Sequence, residues 1–352
     1  MSLDLDLRVV QGDATDVAAD VLILKFAQRT YGLDGQVSDQ VAARDGTVPR
    51  PAPGDADLRE SPDGILAPHV LFVGTPPFAG FDYAAVRDLA HHALDWLGLH
   101  RPQTRSVVLT LHGVGFGLDE IEAFDSLLAG VLDAVERRGA PSGLRQVTIV
   151  ERAKRRARAI SRRFDELAAD GALASVSRDR SRGTTRSLTV DGLQAPDSPS
   201  RGTTPSIDLD PLRRAGYGSA AKPHAFVAMP FSDELEDTYY YGIEPPVRDA
   251  GLLCERIDQS HFSGDIAQRI FDRIRSAKLL IADLTKANPN VYLELGYALG
   301  VGVPAILLVQ DVEELRFDVQ GRRCLIYGGS IRTLEKQLRA ELAALGTELG
   351  IR

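Results

Sequence analysis

The chain has 352 residues, a formal net charge of −8, 44% hydrophobic residues and 26% charged residues. That length exceeds what one average core fills, so two compact domains and a linker are expected. The acidic balance disfavours indiscriminate nucleic-acid binding, and no apolar run approaches the roughly 18 residues that a membrane-spanning helix needs.

The opening, MSLDLDLRVV, is acidic and runs straight into a strand pattern, so it does not read as a signal peptide and a cytoplasmic protein without a membrane partner is predicted. Cys254 and Cys324 lie far apart with no His or Cys at metal spacing, which predicts buried thiols, no disulfide framework and no metal site.

Alternation at Leu5, Leu7 and Val9 predicts a first strand, a turn at Gly12-Asp13-Ala14-Thr15, and a second strand over Asp20 to Leu24. A helix is expected from about Gln36, carrying Val37 and Val41, followed by a proline-rich irregular stretch from Thr47 to Pro68. Next come a strand at His69 to Val73, a helix from Tyr83 to Leu97 and a strand at Ser106 to Leu111. The helix has its stripe at Val86, Leu89, Ala90, Ala93, Leu94 and Leu97. A helix over Ile121 to Arg137, a strand over Gln146 to Val150 and a basic helix over Arg152 to Leu167 continue the alternation, which implies a mainly parallel sheet covered on both faces.

Polar turns at the carboxyl ends of such strands are where ligands bind. The loop Gly113-Val114-Gly115-Phe116-Gly117 is either a cradle for a diphosphate or a tight strand-to-helix turn. Asp13 is either an acceptor for an adenine amino group or, more often for an Asp in a turn, a local backbone cap. The helix with Arg152, Lys154, Arg155, Arg156, Arg158, Arg162 and Arg163 reads mainly as a solvated face. From Asp170 to Pro223 periodicity is lost and Ser, Arg, Thr, Gly and Pro dominate, as in a linker, with SRGTT occurring twice.

The last third alternates again. Ala225 to Ala228 is a strand ending in Met229-Pro230-Phe231, Tyr240 to Ala250 a helix, and Leu253 to Ile257 a strand. A helix begins at Ser263-Gly264-Asp265 and buries Ile266, Ile270 and Ile274. Leu279 to Ala282 is a strand closed by Asp283, Tyr292 to Leu299 a helical segment, Ala305 to Val309 and Cys324 to Tyr327 strands, and Ile331 to Leu345 a terminal helix. Within this region Glu294 stands among Val291, Leu293, Leu295 and Ala298, so desolvation should raise its pKa. Such a carboxylate suits nucleophilic attack or stabilisation of an oxocarbenium ion when a ribose-to-base bond breaks, unless it faces solvent on its helix. Asp283 either orients a ribose hydroxyl or caps the turn at Leu284. Asn288 and Asn290 offer donors and acceptors, and Tyr292 and Phe231 offer rings for a base.

GDAT at Gly12 to Thr15, ADVLIL, GLDGQVSDQV and HGVGFG together resemble a divergent macro domain over about residues 5 to 168. That resemblance implies contact of Asp13 with adenine, beside Gly12, and of Gly113 to Gly117 with a diphosphate. The family's Asn-bearing segment reads Lys25-Phe26-Ala27-Gln28 here, which implies a sensing or structural role in place of hydrolysis.

FVAMPF, RID with SGDIAQRI, IADLT and NPNVYLELGYALG resemble the nucleoside 2-deoxyribosyltransferase-like branch of the TIR-related proteins over about residues 224 to 345. The resemblance implies glycosidic-bond cleavage by Glu294, with Asp283 and Asp265 at the ribose and Met229, Pro230 and Phe231 lining the pocket beside Gly264, Asn290 and Tyr292. It also implies self-association, a nucleotide ligand, and a place in bacterial antiphage defence.

The expectation is therefore two three-layer α/β domains with mainly parallel sheets, macro-like over 1–168 and flavodoxin-like over 224–352, joined by a flexible linker at 169–223. The expected function is hydrolysis of the N-glycosidic bond of NAD or a related nucleotide, with NAD as substrate and no cofactor. The rivals are a nucleoside or deoxynucleotide glycosidase or deoxyribosyltransferase, and a non-catalytic nucleotide sensor.

Overall fold

The computed structural model describes residues 5–27, 32–77, 80–169, 176–178, 186–188, 210–257, 264–319 and 321–350. The chain divides into two compact units, the first made of Met1–His112 and Glu120–Ala220, the second of Gly113–Asp119 and Ala221–Arg352.

The first unit runs β1 (Asp6–Gln11), β2 (Val21–Phe26), α1 (Gly32–Asp45), β3 (Ala56–Glu60), β4 (His69–Gly74), α2 (Tyr83–His100), β5 (Ser106–Thr110), α3 (Glu120–Glu136), β6 (Gln146–Glu151) and α4 (Lys154–Ala169). Its six-stranded sheet has the order β1-β6-β5-β2-β4-β3. Every described pairing in it is parallel except that of β3 with β4. Alternate residues explain why the strands read as continuous apolar runs: Leu22, Leu24, Val70 and Phe72 pack with Val37 and Val41 of α1, while Ile23 and Leu71 are just as buried on the opposite face. The stripe expected on α2 is fully buried, from Val86 to Leu97.

β3 corrects the expectation of an irregular Thr47–Pro68. It is an edge strand, half-buried along most of its length, whose brief alternation of Ala56 and Leu58 with Asp57 and Arg59 is obscured in sequence by the prolines at 49, 51 and 53. The stretch read as linker also holds regular pieces, a short antiparallel pair β7 (Val176–Arg178) and β8 (Arg186–Leu188) and a helical turn α5 (Asp210–Arg214). The remainder up to residue 209, including both SRGTT copies, lies outside the described residues, whereas residues 215–223 are described and hold a 3₁₀ turn at Ser219–Ala221.

The second unit runs β9 (His224–Ala228), α6 (Asp233–Asp237), α7 (Glu244–Asp249), β10 (Leu253–Glu255), α8 (Gly264–Ser276), β11 (Leu279–Asp283), α9 (Pro289–Gly300), β12 (Ala305–Val309), β13 (Cys324–Ile326) and α10 (Ile331–Leu349). Its five strands are all parallel in the order β10-β9-β11-β12-β13, the doubly wound 2-1-3-4-5 arrangement of flavodoxin-like sheets. On one face Ala225, Val227, Leu279, Ile281, Ile306 and Leu308 pack against the helices between β9 and β10 and against α10. The intervening residues, Phe226, Leu280 and Leu307 among them, are equally buried on the other face. The single helix expected over Tyr240–Ala250 is instead α6, a π-helical turn over Thr238–Ile243, and α7 with proline in its first turn. Both units are thus α/β. Among the described residues no helix is long and apolar enough to cross a membrane.

Candidate active site

Helix α9 shows how a carboxylate comes to be buried. Its N-cap is Asn288, whose side-chain oxygen accepts from the Asn290 N–H at 2.9 Å, and Pro289 occupies the first turn, where its missing N–H is no loss. Val291, Leu295 and Ala298 then face inward, and Glu294, three residues after Val291, falls on the same stripe. Leu293, on the opposite side, is 54% exposed, whereas Glu294 is 9% exposed. Burial pushes the Glu294 carboxyl from its ordinary 4.5 up to about 8, and among the described residues no cation or hydrogen-bond donor offsets that desolvation.

Glu294 shares a cleft with Met229 and Phe231 at the end of β9, Ile257 just beyond β10, Ile270 of α8, and Asn288, Asn290 and Val291. The enclosed floor measures about 20 Å³, space for a single water. The lining is apolar apart from the amides of Asn288 and Asn290, and Glu294 is the one ionisable side chain among these described lining residues. An adjoining cleft of about 210 Å³ shares Phe231 and is lined also by Pro230, Ser232, Asp233, Leu235, Glu236 and Arg256. There the Arg256 guanidinium sits 4.0 Å from the centre of the Tyr239 ring and 5.5 Å from that of Phe231, with Glu236 at 3.9 Å.

The approach to α9 is held in an uncommon conformation. Lys286 and Ala287 both have positive φ, 62° and 47°, where side chains are disfavoured. Two carboxylates secure the loop: Glu314 accepts from the Lys286 N–H at 2.9 Å, and Glu234 pairs with the Lys286 ammonium. Asn288 and Asn290 enter the cleft from the element that this loop positions.

The remaining expected site residues are placed elsewhere. Asp283 is fully buried at the end of β11 and does not line the cleft. Its carboxylate accepts from the Thr285 N–H at 3.1 Å, from Thr285 Oγ1, and from the Tyr327 hydroxyl at 2.8 Å. Burial still pushes that carboxyl up, against the lowering effect of these bonds. The alternative of a turn cap is thus the geometry observed, extended by Tyr327. Tyr292 also turns away: its hydroxyl accepts from the Arg316 N–H at 3.1 Å and the Arg316 guanidinium lies 5.6 Å from its ring centre. Gly264 and Asp265 open α8, but their side chains lie outside the described residues, as does Ser263. Ile257 and Arg256 were not singled out from sequence as lining residues. The motif RID that contains them was recognised, but an arginine among aromatic rings leaves no local signal.

In the first unit Asp13 caps a 3₁₀ turn, accepting from the Thr15 N–H at 3.0 Å and from its hydroxyl at 2.7 Å, bonds that hold its carboxyl below the usual range. Its neighbour Gly12 donates its N–H to the Glu151 carbonyl at 3.1 Å. Lys25, in the segment where the macro-domain resemblance breaks down, pairs with buried Asp34 at 2.6 Å. The His112 ring stands 3.8 Å from the same oxygen, and its burial lowers its pKa to about 4.

The glycine-bearing loop belongs by its contacts to the second unit. Gly113, Gly115 and Gly117 have φ of 82°, 79° and 97°, which explains the residue choice without a ligand. Of the N–H groups that would cradle a diphosphate, those of Phe116 and Leu118 donate to the Gly113 carbonyl and that of Gly117 to the Arg256 carbonyl. Val114 pairs with Leu118, and Phe116 with Ile257, as isolated bridges. The Arg269 side chain donates to the Phe116 carbonyl at 2.9 Å. A tight turn satisfied within the protein is therefore what the geometry displays, and the N–H groups of Phe116, Gly117 and Leu118 are already spent.

No protein-family model matches the chain, and no curated protein does. Among solved structures, it is similar to a Trypanosoma brucei macrodomain in complex with ADP (TM-score 0.38, 15% identity, 45% of this chain and 69% of that one). It is similar also to an Oceanobacillus iheyensis macrodomain with ADP (0.36, 12%, 47% and 97%), and to the T. brucei macrodomain in complex with ADP-ribose (0.36, 16%, 43% and 65%). At these scores and identities none of the likenesses assigns a function to this chain.

Proposed function

We propose that the second unit breaks the N-glycosidic bond of NAD or a related nucleotide, with Glu294 as the reacting carboxylate. The observation that carries this is that Glu294 is the one ionisable side chain among the described residues of its cleft. Glycoside hydrolysis by a pair of carboxylates uses the second to protonate the leaving group. A cleft with a single carboxyl among its described lining residues suits a leaving group that needs no proton. The pyridinium of NAD is one, because it takes the bonding pair and departs as neutral nicotinamide. A purine or pyrimidine leaves as an anion unless an acid protonates it.

The raised pKa fits the same chemistry. With a pKa of about 8 the carboxyl is mostly protonated at neutral pH, and a cationic ring beside it in a poorly solvated cleft favours the carboxylate, so binding sends its proton to solvent. The carboxylate then attacks C1′ or stabilises the oxocarbenium ion, and water completes the hydrolysis to ADP-ribose. Asn288, Asn290 and Phe231 line the cleft, and in this reading the two amides hold ribose hydroxyls and the ring covers the base. For the first unit we propose nucleotide sensing or assembly, with Lys25 near the end of β2, Asp34 in the first turn of α1 and His112 just beyond β5 as the polar group nearest a ligand. Self-association and a role in antiphage defence belong to the same proposal.

The test is product analysis by mass spectrometry with NAD, nucleoside monophosphates and deoxynucleosides. Nicotinamide release that Glu294→Ala abolishes is the expected result. Release of a purine or pyrimidine would instead assign a nucleoside or deoxynucleotide glycosidase or transferase. A ligand-induced thermal shift with no turnover would leave a non-catalytic sensor.

A further inference from the structure

On α2, Asp88, His91 and His92 sit at i, i+3 and i+4, the spacing that brings three side chains together over one helical turn. One ligand-type atom from each lies within 4.8 Å of the other two. A divalent ion bound at about 2 Å to each would need these atoms about 3.3 Å apart. His92 is only partly covered, so rotation of its side chain can close that gap without disturbing the core.

The cluster has support from behind. His91 is 7% exposed, and its Nε2 stands 3.0 Å from Asp95 Oδ2, off the line of a good hydrogen bond, while Asp95 Oδ1 is buried with no partner. With Nε2 turned to Asp95, Nδ1 is the nitrogen left to coordinate, and a carboxylate behind a histidine is the arrangement that orients metal-binding imidazoles and raises their basicity. Asp88 is steadied by the Tyr217 hydroxyl, which donates to one of its two oxygens. The Arg87 guanidinium, over the Tyr217 ring, is already matched by Asp133 at 2.7 and 2.8 Å. Two carboxylates, Asp88 and Asp95, balance a dication.

We propose that Asp88, His91 and His92 form a divalent transition-metal site, with Asp95 as the carboxylate behind His91. Two imidazoles and one carboxylate suit zinc and its borderline neighbours over calcium or magnesium, and three protein ligands leave a coordination position for water.

The test is calorimetric titration of the full chain, freed of any histidine tag, with zinc chloride. One equivalent with micromolar affinity is expected, weakened at least about ten-fold in His92→Ala and in Asp88→Asn, with Asp95→Asn weakening it by a similar factor through His91. Cys324→Ser should leave the affinity unchanged. Binding that is absent, or that is the same in His92→Ala as in the native chain, overturns the proposal. Cobalt added in place of zinc supplies an independent readout, since a visible absorption band that His92→Ala removes requires the imidazole as ligand.

Discussion

The position of Glu294 predicts that this residue destabilises the second unit, and by an amount that grows with pH. In the unfolded chain its carboxyl titrates near 4.5, and in the folded chain near 8, so between those values the folded state holds a proton that the unfolded state has released. Stability therefore falls as pH rises through this window and is flat above it. At about 1.4 kcal/mol per pH unit, the penalty is near zero at pH 4.5, about 3 kcal/mol at pH 7 and about 5 kcal/mol above pH 8. Glu294→Gln keeps the shape and removes the titration, so the variant should be more stable than the native chain by amounts approaching these.

The choice of assay follows from the fold. The only tryptophan, Trp96, lies on α2 of the first unit, so its fluorescence does not report on the second. Hydrogen exchange of peptides covering β11 and β12, measured near pH 5, 7 and 8.5 with correction for intrinsic exchange, reads the relevant stability. The expected result is a gap between Glu294→Gln and the native chain that widens with pH. A gap that stays constant, or one that reverses sign, would refute the burial argument and with it the basis for the proposed chemistry.

Tyr327→Phe removes one donor from Asp283 and should lower second-unit stability by about 1–2 kcal/mol, while base release per folded molecule stays within about ten-fold because neither residue lines the cleft. Asp119 is fully buried and accepts from Arg248 and from the Cys254 N–H, both at 2.9 Å. Asp119→Ala leaves both donors short and should cost about 3 kcal/mol in a chemical denaturation followed by hydrogen exchange. In the first unit Gly130→Ala is a test of opposite signs. Helix propensity favours alanine by about 1 kcal/mol, but the new Cβ would lie 2.1 Å from the Arg87 carbonyl oxygen, so a net loss of about 2 kcal/mol or more is expected in a Trp96 fluorescence melt.

The elements legible in sequence were those whose burial is periodic within one segment. The α2 stripe and the Ile266, Ile270, Ile274 stripe of α8 could be counted directly, and both are buried. Glu294 was legible for the same reason: an acid at i+3 from Val291 and next to Leu295 stands on an apolar face whatever the tertiary surroundings. What escaped depends on partners outside the segment itself. β3 exists because β4 offers an edge, and its own alternation, Ala56 and Leu58 against Asp57 and Arg59, is too short to stand out in a proline-rich stretch. Tyr327 reaches Asp283 across 44 positions, and Phe116 pairs with Ile257 across a still larger separation. The glycine loop stayed open between two readings for a related reason, because positive φ and anion cradles ask for the same residue, and only the destination of each N–H separates them.

Glu294 and Asp283 illustrate how different two acids near one strand end can be. Both are buried and both carboxyls are pushed upward, but Asp283 has three hydrogen bonds that favour its ionised form, whereas Glu294 has burial alone. A carboxylate already supplied with donors has little to gain from a cationic substrate, and its bonds hold the fold together at Thr285 and Tyr327. A carboxyl without them is the one whose protonation state a ligand can change. Under the proposed function the reactivity of the second unit would therefore concentrate at Glu294, and the loop with positive φ at Lys286 and Ala287, together with the Asn288 cap, sets the start of the helix that carries it to the cleft.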